Sequence, residues 1–518
     1  MATDDRTPRP LASGDMYSTA FQFYSHINAD VDPRTGMYSA SIDLATGEGN
    51  RLRGPHLPFR LSYNALDTID EGFGKGWRLG LTEFDIDTSL LTLSSGDSHP
   101  ITDYLLDQPA TFPDRKLDSC TLTKKDALGE KAIVRHITGV VEYLEVPDES
   151  QGLLRPVRIV NPSGDAIHIE WGSEDRTPRL KRVIDNDGEV LLSVDYSASD
   201  NVVVTLNLGN ADSLEMLFHR TGDELESVSI PLIDELNHTP TADGDEAVWR
   251  FSYGKDDIKL LEGVTSPDGI VDSVLYDKSA MELPSGAPQQ YMPAVATRTR
   301  ASVSSKKLLQ ESRYTYDNFN RNNFYGFPEV RNWEDRSDQL LHLVGVDAFS
   351  YGSTEKQYGA DGVELCTIER NYNHFHLITR EKTTRGDVVQ DIVTDYGIKE
   401  STAFEDQAVS FQLPHKVTTT CYDTRSEDVR QVTTTESSYD GDGDGDQYKD
   451  GNIRWRYDSA TDTTEESTYY PPEGATDADG IVLCPPDPMK RVRRLKSRTT
   501  SPGDTRPGKK DESDEGGG

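Results

Sequence analysis

The 518-residue chain carries 54 Lys and Arg against 90 Asp and Glu, a formal charge of −36, and only 34% of it is apolar. So negative a chain repels nucleic-acid phosphates and anionic lipid and favours basic or polar partners, and no apolar run approaches the ~20 residues of a membrane-spanning helix. The length allows two or three ordinary domains or one large repetitive architecture.

Residues 1–15 are polar, with two prolines and no apolar stretch, so a cleaved secretory signal is not expected and the leader reads as disordered. From residue 16 to about 300 the dominant period is two. Leu57, Phe59, Leu61 and Tyr63 alternate with polar residues, as do Ile167, Ile169 and Trp171. Val202, Val204, Leu206 and Leu208 repeat the pattern, followed by Trp249, Phe251 and Tyr253. Alternation puts each set on one pleat face and predicts strands with one buried side. Turn residues separate the runs: Asn161-Pro162-Ser163-Gly164, Asp187-Gly188, and Pro267-Asp268-Gly269. No helix longer than about two turns is predicted, and the chain reads as all-β.

A loose internal repeat supports hairpins. Leu180 and Val183, Asp187-Gly188, Val190, Val194 and Tyr196 recur at equal offsets as Leu261 and Val264, Asp268-Gly269, Val271, Val274 and Tyr276. A looser copy runs from Ile159 through Gly164 to Trp171. A lone hairpin cannot bury its apolar face, so repeated hairpins predict an extended stacked array.

Residues 301–498 add a tyrosine-aspartate theme: Arg313-Tyr314-Thr315-Tyr316-Asp317, Tyr422-Asp423, Tyr439-Asp440 and Arg456-Tyr457-Asp458. A strand-end Tyr packs its ring and offers its hydroxyl to a polar group, while the next Asp can accept turn N–H groups. Residues 499–518 hold almost no apolar side chains and read as a disordered charged tail.

Few residues invite chemistry. Asp440, Asp442, Asp444 and Asp446 alternate with glycines, a spacing calcium loops use, but Gly451 stands where an EF-hand needs its bidentate Glu. A solvated hairpin loop competes with calcium there and is the preferred reading. Asp487-Pro488 resembles an autoproteolytic Asp-Pro pair only superficially and reads as a turn, with no second carboxylate assigned to it. His374 and His376 share a strand face without a metal spacing such as H-E-x-x-H. Gly72-x-Gly74-x-Gly76 lacks a following helix, and no G-x-S-x-G elbow occurs. Cys120, Cys366, Cys421 and Cys484 lie too far apart to form a zinc or disulfide pattern and read as reduced thiols. Arg491, Arg493, Arg494, Lys496 and Arg498 read as the solvent face of a last strand. Neither a cofactor nor an enzymatic activity is expected.

Several stretches resemble the Rhs/YD-repeat family, specifically its shell-forming proteins allied to insecticidal toxin complexes. They are Val31-Asp32-Pro33-Arg34-Thr35-Gly36, Gly54-Pro55 with Leu57-Pro58-Phe59-Arg60-Leu61-Ser62-Tyr63, and Gly72-Phe73-Gly74-Lys75-Gly76-Trp77. Further on come Arg370-Asn371-Tyr372-Asn373, Phe404-Glu405-Asp406-Gln407, Tyr469-Tyr470-Pro471-Pro472-Glu473-Gly474, and Cys484-Pro485-Pro486-Asp487-Pro488-Met489. The resemblance implies antiparallel β-hairpins curling into part of a hollow shell around a toxin or effector polypeptide. It also implies the front portion of such a shell, partnered by cargo or other toxin-complex subunits and found outside the producing cell without a classical signal. A carbohydrate-binding or cell-surface recognition module is the alternative, since that label often accompanies YD repeats.

Overall fold

The fold is seen in a computed structural model that describes residues 27–65, 67, 69–147, 152–174, 177–207, 213–231, 233–234, 239–240, 246–255, 259–317, 330–334, 338–443 and 446–507. It is built from one turn used repeatedly. At 161–165, the Asn161 N–H donates to the Asp165 carbonyl and the Gly164 N–H to the Asn161 carbonyl, with Gly164 at φ +92°. The same two bonds recur at 93–97, 136–140, 185–189, 266–270, 359–363, 373–377 and 477–481. This is the three-residue hairpin loop with a left-handed fourth position. In several copies the first side chain also accepts the fifth N–H, as Asp185 does from Glu189 at 3.0 Å and Asn373 from Leu377 at 3.1 Å. The left-handed position is glycine except at 373–377, where His376 takes it at φ +61°.

Hairpins so made join into one antiparallel ladder in sequence order from Cys120–Lys124 to Leu495–Pro502. The three short strands Glu83–Asp85, Leu90–Thr92 and Ser98–Pro100 branch from it, with Leu153 and Leu154 opposite Asp85 and Phe84. Among the described residues no ladder joins the first strand to the last, and the sheet is long and open. Both repeat copies fold as hairpins across their Asp-Gly turns, with Ile184 facing Val190 and Thr265 facing Val271, but the first copy has a register shift after Val183 that the second lacks. Leu180, Val183, Leu261 and Val264 are all buried.

What buries them is a separate four-stranded sheet, Ile27–Val31, Tyr38–Glu48, His56–Tyr63 and Trp77–Leu79. It lies on one face of the ladder's first half. Phe59, Leu61, Phe73 and Trp77 pack against Val183, Val204, Phe218 and Phe251 in a single core. Trp77 Nε1 donates to the Tyr253 hydroxyl at 2.8 Å, which donates in turn to the Leu225 carbonyl at 2.9 Å. Leu208 of the predicted alternation lies outside the described residues.

Past the strand Leu308–Asp317 this cover thins to Arg34, whose side chain hydrogen-bonds Tyr351 of the next strand, Ser350–Gly359. The strands Ile378–Arg385 and Pro414–Asp423 are mostly half-buried along both faces, and Val388–Tyr396 between them buries only Val389 and Thr394. Threonine fills them: Thr418 and Thr419 stand opposite Thr434 and Thr433. The division expected near residue 300 falls inside the paired strands Tyr291–Ser302 and Leu308–Asp317, so backbone pairing runs through it and only the covering changes. The tail expected from 499 also starts later, because Thr499 and Thr500 pair with Glu466 and Glu465 and carry the last strand to Pro502.

The tyrosines have a common task. Tyr253, Tyr316, Tyr396, Tyr439 and Tyr469 each stand at the end of one strand of a hairpin, and Tyr276 stands within the strand Ile270–Glu282; all six donate to a carbonyl on the partner strand. Tyr396 reaches Ile378 at 2.9 Å and Tyr439 reaches Pro414 at 2.8 Å. The following aspartate has two jobs. At the tight turns, Asp423 and Asp458 accept the Arg425 and Ala460 N–H groups, whereas Asp440 accepts that of Asn452 across a long connection. Tyr396→Phe and Tyr439→Phe are each expected to cost about 1 kcal/mol in denaturant titrations, the worth of one hydrogen bond. Combining Tyr253→Phe with Tyr439→Phe should give additive losses, because the two latches close different hairpins.

The ribbon's two ends differ. Connections 303–307, 360–363, 386–387, 424–425 and 459–462 are tight, while those at 374–377, 397–413, 440–452 and 470–494 lie at the other end and are mostly long. Counting strands back, the start of Cys120–Lys124 and the turn 136–140 belong to the tight-turn end. Yet Lys116 donates to the Glu405 carbonyl at 2.6 Å, Arg491 pairs with Asp118, and Arg493 donates to the Ile137 carbonyl. Loop end meets tight-turn end, an axial offset of about one strand, roughly 25–35 Å. The sheet therefore winds as a spiral and does not close into a ring.

Candidate functional site

The uncovered half of the ladder is a polar wall, and its charges are matched across strands. On the face that carries the N-terminal sheet further back, Arg370 sits between Glu381 at 2.9 Å and Glu355 at 3.8 Å. On the opposite face, Arg380 pairs with Asp391 at 2.6 Å and Lys382 with Glu369 at 3.0 Å. Opposite charges placed directly across a ladder fix register and add little stability each. In these strands acidic residues are offset by basic partners, so the wall's faces do not themselves carry the chain's large negative charge.

At the loop end, Leu341, Phe375, Phe404 and Phe411 form a small core from connections far apart in sequence. Histidines ring it. His376 Nδ1 lies 2.7 Å from the Tyr351 hydroxyl and Nε2 lies 2.7 Å from Asp338. Burial raises the Tyr351 pKa, which favours the protonated phenol. His374 is buried with no partner on Nδ1, and burial lowers its pKa. His342 faces Glu405 at 3.2 Å.

His415 differs from these. Its Nδ1 lies 2.9 Å from the Leu413 carbonyl and its Nε2 lies 2.9 Å from Asp442. Both partners are acceptors, so the ring satisfies both only as imidazolium. Burial opposes that charge, but the hydrogen bonds to Asp442 and Leu413 outweigh it and raise the pKa. Asp442 is held well below the usual carboxylate range: burial works against ionisation, and bonds from His415, Ser410, the Tyr439 N–H and Ser438 overcome it.

The structure therefore gives the aspartate run separate tasks. Asp442 ties the connection 397–413 to the strand end at Tyr439. Asp446 accepts the Gly441 and Gly443 N–H groups at 2.8 and 3.1 Å and pairs with Arg454 at 2.6 Å. Asp440 binds Asn452 through both oxygens, and Asp444 lies outside the described residues. Among the described residues no three His, Cys, Asp or Glu side chains gather as a metal-holding group. With these oxygens committed to protein donors, millimolar calcium should leave the thermal midpoint unchanged, whereas Asp442→Ala should lower it. A calcium-induced rise in the midpoint that disappears in Asp442→Ala would reverse that assignment.

The other sequence candidates are structural in place. Gly72, Gly74 and Gly76 all have positive φ, and side chains there would meet the Tyr196 ring, the Leu225 backbone and the Asn64 carbonyl. They allow the loop bearing Phe73 to lie flat on the ladder. Asp487 accepts the Met489 N–H at 2.9 Å and pairs with Arg493, which with backbone donors lowers its pKa against the effect of burial. His374 and His376 do not share a strand face as expected: both lie in the turn after Asn373, His374 against the Phe375 ring and His376 on Asp338. The roles of His342 and His415 were missed, because their carboxylate partners lie 63 and 27 residues away. The four cysteines are free thiols.

No family model matches the chain, and no curated relative matches it. Among solved structures it is similar to TcdB2-TccC3, at 10% identity and a TM-score of 0.28, with 92% of this chain and 37% of that one covered. TcdB2-TccC3-Cdc42 gives 11% identity and a TM-score of 0.27, covering 84% and 18%. A porin-like protein from Bacteroides vulgatus gives 8% and 0.13, covering 56% and 90%. The chain thus spans little more than a third of the length of TcdB2-TccC3, and the overlaps are too loose to transfer any residue's role.

Proposed function

We propose that this chain is a wall section of a β-shell that encloses or carries a toxin or effector polypeptide, acting without catalysis alongside cargo or other toxin-complex subunits. The observation that carries this reading is the spiral ladder whose second half is polar and charge-matched on both faces. A globular enzyme or a simple sandwich buries one face of each strand; a wall between lumen and solvent has water on both. A charge-matched polar surface also offers an unfolded polypeptide few apolar footholds, which suits holding without binding tightly. The stretches that resemble Rhs/YD-repeat proteins lie where the architecture depends on them. Gly36 accepts from the Val295 N–H at 2.8 Å and docks the N-terminal sheet on the ladder, and the 72–76 loop seats Phe73. Action outside the producing cell follows from the same reading.

Electron microscopy of the full chain should give a curved wall or hollow particle. Co-expression with a candidate toxin polypeptide should leave that polypeptide shielded from added protease. A solid globule, or a turnover abolished by changing one polar side chain, would remove the proposal.

A further inference from the structure

The ladder's two ends are finished differently. At its first strand, the outer edge of Cys120–Lys124 is occupied: the Ala110 N–H donates to the Leu122 carbonyl at 2.8 Å and the Asp107 N–H to the Lys124 carbonyl at 3.0 Å. Bridges at Pro109 to Thr123 and Leu106 to Lys124 complete that cover. At the last strand, Leu495–Pro502 pairs with Thr463–Tyr469 on one side, and among the described residues nothing pairs with the other. Leu495 through Thr500 are exposed. Every second residue of this roughly 26 Å strand turns its backbone groups to the open side, a template for another strand.

Charge narrows what can join it. Within the basic cluster, Arg491 is spent on Asp118 and Asp450, Arg493 on Asp487 and the Ile137 carbonyl, and Arg494 on the Pro485 carbonyl. Lys496 and Arg498 have no ion-pair partner among the described residues. They stand two residues apart on the exposed strand, Lys496 at the register shift opposite Thr468 and Tyr469 and Arg498 opposite Ser467. In a chain with a net charge of −36, two cations without an ion-pair partner at an edge left open among the described residues are an exception to the prevailing sign. They discourage a second copy of the same edge, which would bring like charges together across the new pair.

We infer that the outer edge of Leu495–Pro502 receives an extended segment of a partner chain with Asp or Glu at alternate positions, added as a further antiparallel strand. Backbone hydrogen bonds supply the affinity, and Lys496 with Arg498 supply the selection. The inference holds whether or not the ribbon encloses cargo, so it stands or falls apart from the shell proposal.

The test uses the full chain and two labelled nine-residue peptides, alternating Thr with Glu or Thr with Lys, read by fluorescence anisotropy at low ionic strength. The Glu peptide should bind on the order of tenfold more tightly than the Lys peptide. Lys496→Glu with Arg498→Glu should reverse that preference, and Lys496→Gln with Arg498→Gln should abolish it, both with unchanged far-ultraviolet spectra. N-methylating alternate backbone nitrogens of the Glu peptide should remove binding. Equal binding of the two peptides, or full binding by the N-methylated one, overturns the inference. So does concentration-dependent dimerisation that the double Glu variant abolishes, which would give the edge to a second copy.

Discussion

Replacing Glu71 by Ala is expected to lower the unfolding free energy by about 3 kcal/mol, the low end for breaking a buried ion pair, since Glu83 still faces Arg155. Glu71 and Arg155 are each 1% exposed and pair directly. Glu71 also takes Arg78 at 3.2 Å and the Leu79 N–H at 3.0 Å, while Arg78 reaches Asp67 at 2.9 Å. Glu83 bridges both arginines. The group fastens three pieces distant in sequence: the 67–79 segment of the N-terminal sheet, the branch strand Glu83–Asp85, and the ladder strand Leu153–Val160. Removing the Glu71 carboxylate leaves the Arg155 guanidinium with Glu83 alone, at a place water does not reach. Replacing both partners with apolar residues, as Glu71→Leu with Arg155→Met, should recover most of the loss, since two desolvation penalties leave with the pair. Urea titrations followed by tryptophan emission would report this, because Trp77 is fully buried in the neighbouring core. A loss below about 1 kcal/mol for Glu71→Ala would show that water reaches the site.

The legible part of this architecture was local. Alternation at Ile167, Ile169 and Trp171 and the Asp-Gly pairs at 187–188 and 268–269 identify hairpins, because strand period and left-handed turn are properties of a few consecutive residues. Tyr439-Asp440 announces a strand end for the same reason. Nothing local tells that Phe73 meets Phe218, or that one half of the ladder is covered and the other bare. The expected boundary near 300 followed a change of motif, yet the backbone ladder ignores it. The winding depends on Arg491 reaching Asp118 across 373 residues, and the basic cluster was legible only as a charged strand. Likewise His374 and His376 stood out as a pair, while the small core that burdens one of them draws on Leu341, Phe404 and Phe411 from two separate connections.

That small core makes stability depend on pH in two opposed ways. His374 is 3% exposed, and burial lowers its pKa below the ordinary 6.5, with Asp347 and Asp338 raising it less and His376 lowering it further. Between its folded pKa and 6.5 the unfolded chain holds a proton that the folded chain does not, so stability is full above 6.5 and falls as pH drops through that window. His415 has the reverse sign. Its folded pKa is raised by Asp442 and the Leu413 carbonyl against burial, so its contribution is full below 6.5 and is lost as pH rises through the raised value. The facing carboxylates Asp338, Asp347 and Asp442 all have lowered values, so their own contributions fade only below 3.8. Thermal midpoints between about pH 5 and 8 should therefore pass through a maximum near the ordinary histidine value. His374→Leu should flatten the acid limb and leave the alkaline limb, and His415→Gln should do the opposite. An acid limb that survives His374→Leu would move the titration to another histidine of the ring. An alkaline limb untouched by His415→Gln would show that the clasp between Leu413 and Asp442 does not hold a charged imidazole.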